Sequence, residues 1–318
     1  MRVKIAVLDD YQGVALKMAD WSAVAARAQL DIYNDHLADP DSVVERLRPY
    51  DIVCVMRERT PLRRELIERL PNLKLIASTG PRNASIDLEA ATARGIQVAH
   101  TGYFGSPTVE LTWALILASA RHIVAESNAV RDGGWQHTIG DDLAGKTLGV
   151  IGLGNLGSKI AKVGLAFGMQ VIAWSHNLTA EKASLAGATL ATKEELLRQA
   201  DIISIHLVLS ERTRGLIGAP ELQLMKPTAR LVNTSRGPIV VEAALIAALQ
   251  AGQIAGAAID VYDTEPLPPH HPYRKLHNLL ATPHIGYVAR GLYERFYRDT
   301  ASNILAWLEA RGQVGDRL

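Results

Sequence analysis

Gly152, Gly154 and Gly157 fall in the run KTLGVIGLGNLGSKIA, directly after an apolar β-branched stretch and at the opening of a helical pattern. A G-x-G-x-x-G set in that context has few structural uses. The first glycine permits a tight turn, the second lets the backbone approach a pyrophosphate, and the third lets helix and strand pack closely. The free N–H groups of the helix then face the negative phosphates. A dinucleotide is the expected ligand, held by Gly152, Gly154, Asn155, Leu156 and Gly157. The plainer alternative is three glycines that serve only a strand-to-helix turn.

The same β-α rhythm runs through most of the chain, and 318 residues suit two domains that each close a core. From residue 1 to about 100, VKIAVLD, LDIYN, DIVCVM, LKLIAST and IQVAH alternate with the helix-like DSVVERLRPY, RRELIERL and SIDLEAATARG. Short apolar strands separated by amphipathic helices imply a parallel sheet covered on both faces, because right-handed crossovers place the helices there. Asp39 and Asp41 around Pro40 mark one helix start, and Ser85 with Glu89 nearby marks another. Pro107 to about Val130 reads as one long helix, apolar nearly all round, opening the second domain and buried between domains or subunits.

From about Lys146 to Pro283, TLGVIGLG, QVIAWS, DIISIHL, ARLVNTS, AGAAIDV and NLLATPH read as six strands of a second, mostly parallel sheet. The last helix carries Leu292, Phe296, Thr300, Ile304 and Trp307 at roughly helical spacing and is expected to pack back on the first domain. The fold class is therefore α/β with two doubly wound parallel-sheet domains.

Charge removes several classes of partner. With 34 Lys and Arg against 33 Asp and Glu, the net charge of +1 sets up no long-range field for nucleic acid or an anionic membrane. The stretch MRVKIAVLDD lacks the apolar run and cleavage site of a secretory signal, and the apolar stretch near Trp113 is far short of the roughly 20 residues that span a bilayer. A single cysteine, Cys54, makes no internal disulfide and fits a reducing compartment. A cytoplasmic protein with no nucleic-acid or membrane partner and no metal site is expected.

The strand QVIAWSHNL ends where an NAD-selective site usually carries an acid for the ribose hydroxyls. Here the position holds Ser175, which cannot repel a 2′-phosphate, and His176, Asn177 and Lys182 are close enough in sequence to meet one. No arginine stands there. NAD and NADP both remain open.

Arg236 in LVNTSRGPIV, Glu265 in IDVYDTEPLP and His284 in LLATPHIGY each lie just beyond an apolar strand. Open α/β sheets collect ligands beyond the carboxyl ends of their strands, so these three loops can converge. Reduction of a carbonyl needs a cation to hold the acid and polarise its oxygen, and a proton source able to act near neutral pH. Arg236 supplies a fixed guanidinium fork, His284 a proton for the developing alkoxide, and Glu265 a carboxylate that orients the imidazole and favours its charged form. Taken singly, Glu265 and His284 read more readily as ordinary loop residues.

These residues resemble the D-isomer-specific 2-hydroxyacid dehydrogenase family, which includes glyoxylate/hydroxypyruvate reductases. GKTLGVIGLGNLGSKIA, ADIISIHLVLSERTRGLI, LVNTSRGPIVVEAALIAAL, IDVYDTEPLP and TPHIGY occur in the family's order and approximate spacing. The resemblance implies a flavodoxin-like substrate domain over 1–102 with 286–318 and a Rossmann nucleotide-binding domain over 103–285. It implies hydride transfer between NAD or NADP and a small 2-oxo or 2-hydroxy acid of D configuration, with Arg236, Glu265 and His284 as the catalytic triad. It further implies that Asp260 holds the nicotinamide amide, and that Ser175, His206, Leu207, Thr213 and Thr234 border the cofactor.

LKLIASTGPRNASIDLEAA resembles the family's substrate loop, which makes Gly80 and Arg82 substrate-binding candidates, with Arg57 from VMRERTPL beside them. The chain departs from the pattern there. Pro81 has no N–H to donate, so the acid must be met by other amides or by Arg82. Resemblance also implies a homodimer through the region of SPTVELTWALILASAR. Glu265, where formate enzymes commonly carry Gln, argues against that branch. A different class within the resemblance is an NAD(H)-sensing scaffold like the C-terminal binding protein corepressors.

Overall fold

The computed structural model describes residues 2–315. The chain divides into two compact units, Met1–Phe104 with Val288–Leu318, and Gly105–Tyr287. In the first, β1 (Val3–Val7), β2 (Ala28–Ile32), β3 (Ile52–Val55), β4 (Leu75–Ser78) and β5 (Gln97–His100) pair in parallel in the order β2-β1-β3-β4-β5. That is the flavodoxin-like order. Every residue of β3 and β4 is buried, which explains why these strands read as nearly continuous apolar runs.

Helices close both faces of this sheet. Asp39 caps the helix Pro40–Leu47 by accepting from the Ser42 amide at 2.8 Å, where Pro40 sits at a first-turn position that needs no donor. The expected start at Ser85 is corrected. The cap is Asp87, whose Oδ1 accepts from Ala90 N at 2.8 Å, because the Ser85 amide and hydroxyl are both taken by Asn83 Oδ1. The terminal helix Arg290–Gly315 buries Leu292, Phe296, Thr300, Ile304 and Trp307 and lies against β4 and β5. Each large apolar side chain buried this way contributes about 1.5–3 kcal/mol.

In the second unit, β6 (Thr147–Ile151), β7 (Gln170–Trp174), β8 (Thr189–Leu190), β9 (Ile202–Ile205), β10 (Arg230–Asn233), β11 (Gly256–Ile259) and β12 (Leu279–Ala281) form a parallel sheet in the order β12-β11-β10-β9-β6-β7-β8. Strand order reverses about β6, the switch point of a Rossmann sheet. The six expected strands are joined by β8, a two-residue exposed edge strand too short to leave a pattern.

The single helix expected over Pro107 to Val130 is two helices, Ser106–Ala120 and Ile123–Arg131, bent by 65°. His122 between them adopts φ +50°, and the Ala120 carbonyl accepts the Asp141 amide at 2.8 Å. The first helix is buried within its own unit, where Trp113, Leu115 and Ile116 pack with Leu148, Val150 and Ile160. The second buries none of its side chains. Among the described residues no single helix is long and apolar enough to cross a membrane.

Candidate active site

Because the seven strands of the second unit are parallel, their carboxyl ends share one edge, and strand order fixes the order of the loops along it. From β12 towards β7 that edge carries His284, then Asp260 and Glu265, then Thr234 and Arg236, then His206, then the Gly152–Gly157 turn, then Ser175. Neighbouring strands lie about 4.8 Å apart, so the nucleotide-type turn and the ionisable residues occupy opposite halves of one row.

The glycine turn has the stereochemistry its sequence requires. Gly152 adopts φ +100° and donates to the Trp174 carbonyl at 2.8 Å, and a Cβ on it would strike the His206 carbonyl. A Cβ on Gly157 would strike the carbonyl oxygen of Gly152. Gly154 differs, since a Cβ there meets nothing within 4 Å, and it heads the helix Asn155–Ala166 with no side-chain cap. Open space before an uncapped, 12-residue helix suits a pyrophosphate, which the amides of Asn155, Leu156 and Gly157 would hold.

Ser175 follows β7 directly and His176 is fixed against the Trp174 ring, with centroids 5.0 Å apart. His206 points inward. Its Nε2 bonds Ser204 Oγ at 2.8 Å, and burial lowers the imidazole to about 4, so it is neutral near pH 7. Its carbonyl, rather than its ring, meets the glycine turn. Thr213 is buried and organises the loop after β9, accepting from Ser210 N and donating to the Val208 carbonyl, both at 2.8 Å.

The NTSR segment after β10 gives each residue a task. Asn233 closes the turn by accepting from Ser235 N and donating to the Arg236 carbonyl, both at 3.0 Å. Ser235 Oγ donates to the Ile205 carbonyl of β9 at 2.6 Å, and Thr234 Oγ1 lies 2.8 Å from Thr112 Oγ1. Arg236 is half-buried and donates from Nη1 to the Ser235 carbonyl at 2.8 Å.

His284 Nδ1 lies 2.5 Å from Glu265 Oε2, and Glu265 Oε1 accepts from Tyr262 N at 2.9 Å. Burial acts to raise the Glu265 carboxyl, but the hydrogen bond and charge of His284, the Tyr262 amide and the charge of Arg236 outweigh it and hold the group below its ordinary value. Glu265 is therefore ionised and acceptor-only, so His284 Nδ1 must carry its proton. That assigns Nε2 as the nitrogen free to gain or lose one.

Asp260 fixes the backbone around this imidazole. Oδ1 accepts from Thr282 Oγ1 at 2.6 Å and Ile285 N at 2.8 Å, and Oδ2 accepts from Gly286 N at 2.8 Å. Burial raises the Asp260 carboxyl despite these donors. His284 sits between the anchored residues at φ +52°, a conformation that costs a non-glycine residue energy and persists because its surroundings impose it.

In the first unit, described by itself, Arg57 lies over Gly80. Its Nη1 donates to the Thr79 carbonyl at 3.2 Å and the Arg82 carbonyl at 3.4 Å, so a Cβ on Gly80 would fall on the guanidinium. The Thr79 and Gly80 amides are engaged, by the Val55 carbonyl at 3.1 Å and Thr101 Oγ1 at 2.7 Å. Arg82 is exposed.

Sequence reasoning thus named residues that the structure brings together, Glu265 with His284 and, through its charge, Arg236. It missed Tyr262 and Thr282, which hold the pair in place, and Thr108 and Thr112, whose polar spacing of four in an apolar helix was the available signal.

Comparison with known proteins bears on the same loops. The model for the NAD-binding domain of D-isomer-specific 2-hydroxyacid dehydrogenases matches residues 113–286. A glyoxylate reductase of Aeropyrum pernix is 42% identical over 264 residues, covering 80% of this chain and 78% of that protein. The chain belongs to the D-isomer-specific 2-hydroxyacid dehydrogenase family. A glyoxylate reductase of Thermococcus litoralis is 38% identical over 302 residues, 91% of this chain and 90% of its own. The crystal structure of a phosphoglycerate oxidoreductase from Vibrio cholerae superposes with a TM-score of 0.92 at 36% identity, covering 97% of this chain and 99% of that one. This dehydrogenase is an NAD(P)-dependent enzyme of two parallel-sheet α/β domains.

Proposed function

We propose that this dehydrogenase reduces a small 2-oxo acid, glyoxylate to the achiral glycolate or hydroxypyruvate to D-glycerate, and catalyses the reverse oxidation. The observation that carries the reading is the Glu265–His284 contact of 2.5 Å, which leaves one imidazole nitrogen free for proton transfer. The substrate class is drawn from the glyoxylate reductases to which the chain is similar.

When bound, a reduced nicotinamide would supply the hydride for the substrate's carbonyl carbon. The chain's own residues manage the rest. Arg236 binds the acid and polarises the carbonyl oxygen, so that charge developing there meets a fixed cation. His284 Nε2 delivers the proton to that oxygen in reduction and removes it in oxidation. Glu265 holds the ring and stabilises its charged form. Asp260 and Thr234 border the nicotinamide, Gly152, Gly154, Asn155, Leu156 and Gly157 hold the pyrophosphate, and His206 and Thr213 shape the adenosine side.

NADP is the favoured cofactor, because Ser175 puts no negative charge where a 2′-phosphate would sit and His176 stands beside it. The first unit is the substrate-binding domain. Since Pro81 has no N–H and the preceding two amides are engaged, Arg57 and Arg82 are the groups of this loop region left to meet an anion within the first unit. A homodimer through the second helix of the bent pair is supported by exposed apolar side chains at Ile123, Val124, Val130, Trp135 and Ile139.

The test is consumption of NADPH and NADH with a panel of 2-oxo acids. Turnover with glyoxylate or hydroxypyruvate, faster with NADPH, is expected. No consumption with any acid would overturn the proposal.

A further inference from the structure

Thr112 occupies a junction that the reaction scheme leaves unexplained. It is fully buried on the helix Ser106–Ala120, where an apolar residue would pack as well. Its Oγ1 donates to the Thr108 carbonyl one turn back at 2.7 Å and lies 2.8 Å from Thr234 Oγ1. Thr108, in turn, donates from its own hydroxyl to the Gly286 carbonyl at 3.0 Å. One helix turn is therefore bonded to the loop two residues before Arg236 and to the loop two residues after His284.

The direction of these bonds is fixed by counting protons. A hydroxyl has one, and a carbonyl only accepts, so the Thr112 proton is committed to Thr108 O. The short contact to Thr234 then requires Thr234 to donate. With its proton spent on Thr112, Thr234 offers a ligand only lone pairs.

We propose that Thr112 is a positioning residue: it ties the Arg236 and His284 loops to one helix and, by giving its only proton away, makes Thr234 a hydrogen-bond acceptor for the nicotinamide carboxamide. The inference rests on the reading above only for the place of Thr234 beside the nicotinamide. A Thr234 hydroxyl released from Thr112 keeps its lone pairs but must give up the other rotamers of its hydrogen in order to accept.

The test needs no turnover. Dissociation constants are measured by titration calorimetry for NAD+ or NADP+, whichever the wild type binds better, and for its 3-acetylpyridine analogue, in which a methyl replaces the amide nitrogen. The wild type is expected to prefer the carboxamide form by about three- to tenfold, the worth of one hydrogen bond. Thr112→Val is expected to lower that preference by about two- to threefold, the weight of the hydroxyl rotamers it frees, and Thr112→Ser to keep it. A preference that is unchanged in Thr112→Val overturns the proposal, because a purely structural threonine would weaken both cofactors alike. If Thr112→Val does not fold, Thr234→Val carries the comparison, since it leaves the Thr112–Thr108 bond in place and removes only the accepting oxygen; an unchanged ratio there overturns the proposal as well. Failure of every 2-oxo acid as substrate would sink the proposed reaction while leaving this binding ratio readable.

Discussion

Glu265 grips His284 through one carboxylate oxygen, at 2.5 Å, and the amide of Tyr262 through the other, at 2.9 Å. The carboxylate is thus a bracket between an imidazole and its own loop. Rotation of either side chain would break a charge-assisted bond, so the two loops after β11 and β12 hold the ring in one orientation.

This bracket has a pH signature. Folding holds the Glu265 carboxyl below its ordinary value of 4.5, which means that folding favours the ionised form. The resulting stability is fully present above the ordinary value and is lost as pH falls through the lowered one. Chemical denaturation of wild type and Glu265→Gln should show a stability difference that is largest above that range and shrinks in acid. A difference that does not change with pH would contradict the assignment.

In the proposed reaction, Arg236→Ala removes the cation that would polarise the carbonyl oxygen, while leaving the glycine turn untouched. It is expected to lower kcat/KM for a 2-oxo acid by roughly 100- to 1000-fold, the scale of one preorganised charge contact, with cofactor affinity within a few-fold of wild type. Arg236→Lys keeps the charge without the fork and should recover only part of the loss. Full activity in Arg236→Ala would remove it from the site.

The glycines separate structure from binding. A Cβ at Gly157 runs into the Gly152 carbonyl, so Gly157→Ala is expected to lower the melting temperature, by about 2–4 °C for each kcal/mol of strain. Gly154 has open space beside it, so Gly154→Ala should cost less stability and still weaken cofactor binding, because the added methyl enters the phosphate cradle. Differential scanning fluorimetry and cofactor titration on both variants check the contrast; the opposite ranking would refute it.

If Ser175 borders the ribose as proposed, Ser175→Asp places a negative charge beside the 2′-phosphate of NADP. NADPH-dependent kcat/KM is expected to fall at least about tenfold against NADH, since like charges in contact cost more than the 1.4 kcal/mol that tenfold requires. An unchanged cofactor ratio would show that Ser175 does not face the ribose.

Much of this architecture was legible in the sequence because both sheets are parallel and covered, so β3, β4, β9 and β11 are short, fully buried segments that read as nearly continuous apolar runs. Arg236, Glu265 and His284 drew notice as candidates because each lies in a loop after a strand. What stayed hidden depends on distant contacts. The break at His122 has no proline or glycine to announce it, and the bond that caps it comes from Asp141. Ser85 looked like a helix cap, yet Asn83 claims both of its polar groups. Thr112 was not singled out, because its partner Thr234 lies 122 positions away.

The most direct measurement is single-turnover oxidation of the bound reduced cofactor by glyoxylate in wild type and His284→Gln, with cofactor affinity determined in both. The account expects the His284→Gln rate to fall by about 100- to 10,000-fold, the range for loss of a general acid, while affinity changes little. Equal rates in the two proteins would contradict the claim that the imidazole held by Glu265 moves the proton.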